Sequence, residues 1–96
     1  MLIDELHSKK EKIIAIASKY GAIEIQVFGS VARGDDKKSS DVDLLVSLPK
    51  GYDMFKQRIP MQEELQRVIG RPVDLVVKHE INKYLEVAIL TEARDL

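Results

Sequence analysis

The sequence predicts an α/β (α+β) fold, a small mixed three- to four-stranded sheet with helices packed mainly on one face. Short runs with period-2 alternation end at Val27, Val46 and Lys78, the pattern of strands with one buried face. Longer segments between them place apolar residues at helical spacing, and Gly or Pro residues mark the joins. The 96 residues, 45% of them apolar, suffice for one core and leave no material for a second lobe. Residues 1–96 are therefore read as a single domain.

Leu2, Ile3, Leu6, Ile13, Ile14 and Ala17 predict a first helix over about residues 2 to 20, stopped by Gly21 and lying on the sheet. Lys9, Lys10, Glu11 and Lys12 form its solvated side. Ile23, Ile25 and Val27 then alternate with Glu24 and Gln26 until the chain turns at Gly29. Ser30 is expected to cap a short helix, Val31 to Arg33, that Gly34 ends. The polar run Asp35 to Ser40 reads as a solvated connector. Asp41 and Asp43 alternate with Val42, Leu44 and Val46 in the second strand. Pro49, Lys50 and Gly51 make a turn, and Asp53 caps a helix running through Ile69 to Gly70. Pro60 lies inside it, and because an interior proline costs about 3 kcal/mol, an irregularity or a meeting of two helices is expected there. Arg71 to Lys78 is a third strand opened by Pro72, where a missing N–H is tolerable. Ile81, Tyr84, Leu85, Ala88 and Ile89 predict a last helix. Residues 93–96 either trail off or add an edge strand.

The chemistry is concentrated in VFGSVARGDDKKSSDVDLLV. A strand rises about 3.3 Å per residue, so Asp41 and Asp43 share a face with Cα atoms roughly 6.6 Å apart. Val42, Leu44 and Val46 need burial and thereby fix which face the acids occupy. Two carboxylates so placed can grip divalent cations. At Gly29 the backbone can approach a ligand closely, and the N–H groups of the following helix start, with the Ser30 hydroxyl, suit phosphate oxygens. Asp74 falls opposite Val73, Leu75 and Val77. If its strand lies beside the second one, three acids converge and repel one another, and a triphosphate adds more negative charge. Two Mg²⁺ ions about 3.5 to 4 Å apart would resolve both conflicts, with Mn²⁺ able to substitute. A P-loop is excluded because Asp35 and Asp36 follow Gly34 where Lys and Ser or Thr are needed, and an EF-hand because Leu44, Leu45 and Val46 follow the acids.

These segments resemble the minimal nucleotidyltransferases of the DNA polymerase-β-like superfamily, whose signature is Gly-Ser, a spacer, Asp-x-Asp and a later Asp. FGSVARG, SDVDLLV and PVDLVV carry the resemblance across nearly the whole chain. It implies the polymerase-β-like nucleotidyltransferase fold and ATP as substrate. It also implies that Gly29 and Ser30 bind the triphosphate, that Asp41 and Asp43 bind metal, and that Asp74 completes the metal site and helps activate the attacking hydroxyl. Arg33 matches the Ala-Arg-Gly segment of that family and is expected to touch phosphate; a surface pair with Asp35 or Asp36 is the alternative. The family's antitoxins transfer AMP to a tyrosine of a HEPN-domain ribonuclease toxin, which makes such a toxin the expected partner and protein adenylylation the expected reaction. AMP transfer to a small-molecule hydroxyl is the second reading. A non-catalytic antitoxin acting by occlusion is the third, and Asp74 speaks against it, since pure binding does not need the third acid.

Composition sets further bounds. Fifteen Lys and Arg against 16 Asp and Glu give a net charge of −1, with no basic excess to hold a nucleic-acid backbone. No apolar run approaches the roughly 20 residues of a membrane span, and the charged start is unlike a secretory signal, so a cytoplasmic protein is expected. With no cysteine there is neither a disulfide nor a thiolate nucleophile. A shallow acceptor pocket follows from the missing lobe, and a partner protein or a second copy has to finish it. His7 and His79 read as structural or solvated. Tyr20, Tyr52 and Tyr84 read as packing residues, with Tyr52 the one candidate for stacking on adenine. Met54, Phe55 and Met61 read as core or as an exposed partner patch.

Overall fold

The computed structural model describes residues 2–37 and 40–96. Strands β1 (Glu24–Phe28), β2 (Val42–Ser47), β3 (Val73–Val77) and β4 (Arg94–Asp95) form one sheet in the order β3-β2-β1-β4. β1 pairs antiparallel with β2 and with β4, while β2 and β3 are parallel, so the sheet is mixed as expected. A parallel pair needs a long crossover, and the segment carrying α4 (Ile59–Ile69) supplies it. The chain's end takes the edge-strand option.

Helices α1 (Leu2–Ser8), α2 (Lys10–Lys19) and α4 join the inner face of the sheet in one apolar cluster. Leu6, Ile13, Met61 and Leu65 from the helices, with Val27, Leu44 and Leu75 from the strands, are fully or almost fully buried there. Each such side chain stabilises the fold by about 1.5–3 kcal/mol relative to exposure.

Three expectations need correction. The first helix is two helices, because residues 7–12 offer nothing apolar to hold a continuous rod on the sheet. Ser8 folds its hydroxyl back to the Glu5 carbonyl (2.7 Å), and Lys9 leaves the helical path to donate its Nζ to the Val68 carbonyl at the end of α4 (3.0 Å). Ser30 is not a helix cap. Helix α3 spans Gly29–Arg33 with Phe28 at its N-cap and no side-chain cap bond, since the turn at Gly29 puts Ser30 inside the first turn. Tyr84 and Leu85 do not pack: α5 (Lys83–Glu92), started by Asn82 accepting from the Tyr84 N–H, contains no buried residue.

Pro60 has the predicted effect. Asp53 caps the segment, accepting from the Phe55 and Lys56 N–H groups (2.9 Å each), but the helix opens as a wide π turn, Met54–Arg58. The Ile59 N–H reaches back to Met54, and Pro60 then sits in the first turn of α4, where its missing N–H costs nothing. Of the three residues left open, Met61 is core, whereas Met54 and Phe55 are exposed.

Candidate active site

Strand register builds the site. Asp43 of β2 lies opposite Phe28 of β1 on one side and Asp74 of β3 on the other, so both acids share the sheet's second face. Asp41 lies just ahead of β2 and is exposed, as is Asp74; Asp43 is half-buried. The inner face of the same strands is filled by Val42, Leu44, Val73 and Leu75, which pins this register against a one-residue slip.

Gly29 turns the chain out of β1 at φ +74°. A Cβ there would run into the Asp43 carboxylate oxygen and lie 3.1 Å from its Cγ and 3.3 Å from its Cβ. Only glycine lets the two pass so closely, in addition to tolerating the left-handed backbone. The Gly29 backbone and the Asp43 carboxylate are therefore neighbours, with Ser30 next in the first turn of α3.

Burial pushes the Asp43 carboxyl above the ordinary carboxylate value, and the nearby Asp74, Asp41 and Glu92 charges push the same way against Arg33. An all-oxygen donor set under this repulsion suits a hard divalent cation. Among the described residues, no three His, Asp or Glu side chains are gathered tightly enough to enclose an ion by themselves. Nucleotide oxygens and water would have to complete any coordination shell.

Arg33 takes up the surface pairing. Its Nε donates to Asp35 (3.1 Å) and its Nη1 to Glu92 of α5 (2.8 Å), and both carboxylates raise its pKa further. Glu92 was missed by sequence reasoning, because it lies far along the chain and only the path of α5 brings it to α3. Between the two halves of the signature, Arg71 donates to the carbonyls of Lys37 (3.1 Å) and Ser40 (3.5 Å) and so ties the connector to the start of β3. Lys38 and Ser39 of that connector lie outside the described residues. Tyr52 packs against the core with its hydroxyl donating to Glu80 (2.8 Å) and accepting from Arg58 (3.2 Å). His7 and His79 are exposed. A groove of about 300 Å³, lined by Ile14, Ala17, Ile23, Glu24 and Ile25, lies at the far end of β1, away from Asp41, Asp43 and Asp74.

Comparison with known proteins adds the following. The family model described as nucleotidyltransferase domain matches residues 9–96. A Methanocaldococcus jannaschii protein provisionally named protein adenylyltransferase MJ0435 is 37% identical over 91% of this chain and 92% of its own length. Protein adenylyltransferase MntA of Thermococcus cleftensis is 36% identical over 80% of this chain and 77% of its own. A solved structure described provisionally as a minimal nucleotidyltransferase superposes with a TM-score of 0.87 at 31% identity, covering 100% of this chain and 97% of that one.

Proposed function

Because the chain belongs to the nucleotidyltransferase domain family and has the fold of its minimal members, we propose that it transfers AMP from ATP to a protein hydroxyl. Family membership makes it a nucleotidyltransferase; the nucleotide, the acceptor and the residue roles are our reading. The observation that carries it is the contact between the Gly29 turn and Asp43, with Asp74 in register beside it. The turn read as phosphate-binding and the paired acids meet at one spot on the sheet.

In this reading Gly29 and Ser30 hold the triphosphate through backbone N–H groups and the hydroxyl, and Arg33 joins them after leaving Glu92. Asp41, Asp43 and Asp74 would hold divalent cations, Mg²⁺ or Mn²⁺, which would neutralise charge on the phosphates and lower the pKa of the attacking hydroxyl. The acceptor oxygen bonds to the α-phosphorus as the bond to the β-phosphate oxygen breaks. Asp74 accepts the hydroxyl proton, and pyrophosphate leaves from the Gly29–Ser30 side.

A protein acceptor is supported by the name of the Thermococcus relative and by the exposure of Asp41 and Asp74, which leaves the site open to a large acceptor. The sequence resemblance points to a tyrosine of a HEPN ribonuclease toxin, silenced in the cytoplasm by this chain as antitoxin. Incubation with such a toxin, ATP and Mg²⁺ should add whole AMP units to it, read by intact mass, with pyrophosphate released. Asp41→Asn should abolish the gain. A toxin inhibited equally by the wild type and by Asp41→Asn, yet never modified, would replace transfer by occlusion.

A further inference from the structure

Helix α5 is apolar on nearly every side yet lies on the surface. Tyr84 is 93% exposed, Val87 75% and Leu85 57%, and Leu90 is also open to solvent. A helix that is apolar all round is ordinarily enclosed. Its position follows from topology: the connection from β3 at one edge to β4 at the other must pass β2 and β1. On the way α5 touches β1 and α3. Glu92 fastens it to Arg33 at the foot of the Gly29–Ser30 turn. Tyr84, Val87 and Leu90 recur at three-residue spacing, the spacing at which a helix presents anchors to another helix.

We propose that this outward strip of α5 is where the acceptor protein docks, using an apolar helical face flanked by basic side chains. The inference rests on the protein-acceptor reading above and adds the surface that would deliver the acceptor. Two observations select this occupant. α5 adjoins the candidate site through Arg33 and Glu92, so a protein seated on it also reaches the Asp43 face and extends its interface toward the roughly 800 Å² per partner that a stable complex buries. Beyond the Arg33–Glu92 pair, whose charges offset each other, the ground is acidic, with Asp41, Asp43 and Asp74. A second copy would bring the same acids against these, whereas a partner with basic residues beside its hydroxyl is attracted.

The test uses Tyr84→Asp/Val87→Asp in the full chain, with a purified HEPN ribonuclease toxin, the acceptor class proposed above, as probe. Both positions are exposed, so melting temperature and ATP–Mg²⁺ affinity should stay at wild-type values. The KM for the acceptor should rise about 100-fold, the loss expected for two central anchors, with kcat at saturation within about threefold. Equal KM for the variant and the wild type, with transfer intact, overturns the docking surface and leaves the function standing. Binding of the probe by the wild type but not the variant, with no transfer, upholds the surface and overturns the function. Absence of binding to either overturns both. A wild-type chain that sediments alone as a dimer, and a variant that is monomeric, would assign the strip to a second copy instead.

Discussion

On the inner face of the sheet, α4 seats Met61, Leu65 and Ile69 against the strands, none more than 5% exposed; on the second face α5, shorter by one residue, buries none of its own. The difference begins in the sequence. Past its first turn α4 confines Met61, Leu65, Val68 and Ile69 to one stripe, whereas Tyr84, Leu85, Val87, Ala88 and Leu90 spread around α5. It continues in what each helix finds beneath it. Beneath α4 lies β3 with Val73, Leu75 and Val77 turned inward; the second face offers Phe28 and Leu45 among Gln26, Asp43 and Asp74. Stability is thus concentrated on one side of the sheet, which leaves the other free to carry carboxylates that oppose one another.

The sharpest way to break this contrast is Asp43→Asn. If the second face serves chemistry, transfer should fall by about 10²- to 10³-fold or more, the cost of losing a group that organises transition-state charge, measured as AMP incorporation. Stability should move the other way. With its carboxyl held above the ordinary value of 3.8, Asp43 is protonated more readily in the folded chain than in the unfolded one. Its contribution is therefore full below that value and is lost as pH rises through the folded pKa. Metal-free Asp43→Asn should melt like the wild type in acid and above it at neutral pH. A variant that melts lower at neutral pH would give Asp43 a structural role.

Next in size is Leu65→Ala on the inner face. It removes a fully buried side chain from the core and should destabilise by about 2–5 kcal/mol in urea titration, without changing ATP affinity while the chain stays folded. A loss below about 1 kcal/mol would mean the core closes over the gap and the inner face is less rigid than its burial implies.

How far the sequence discloses this contrast depends on the range of the interactions involved. The strands and the facing of Asp43 and Asp74 are legible because period-2 alternation with Val42, Leu44, Val73 and Leu75 is local. The π turn is half legible: Pro60 announces an irregularity, but its form depends on Asp53 holding two N–H groups. The break at Lys9 is hidden, since its stabilising contact is a carbonyl 59 residues away. So is Glu92 on Arg33, at the same separation. Helical spacing announces α5 but says nothing of what covers it, because periodicity reports a face and not its neighbour.

A smaller effect probes the tether between the two regions. Glu92→Gln takes a carboxylate from Arg33 and from the surroundings of Asp43, so the guanidinium is freer to meet phosphate. An exposed ion pair of this kind is worth about 0–1 kcal/mol, so ATP–Mg²⁺ should bind up to about fivefold tighter by calorimetry. Weaker binding would mean that Glu92 holds Arg33 in its working position and does not compete for it.

The smallest effect is expected at Val87, where the contrast can be tested on the second face directly. In an isolated chain Val87→Ala removes two methyl groups that already face water, so no cavity forms and the transfer cost is close to zero. Alanine also favours a helix over valine by a few tenths of a kcal/mol, because it has no χ1 freedom to lose. Stability should therefore change by no more than about 0.5 kcal/mol, toward stabilisation if at all, read from the urea midpoint at unchanged slope. A loss of the Leu65→Ala size would mean that α5 is packed in solution, by a second copy or by a rearrangement of the sheet's second face. Repeating the titration across a hundredfold range of protein concentration separates these, because only association makes the midpoint depend on concentration.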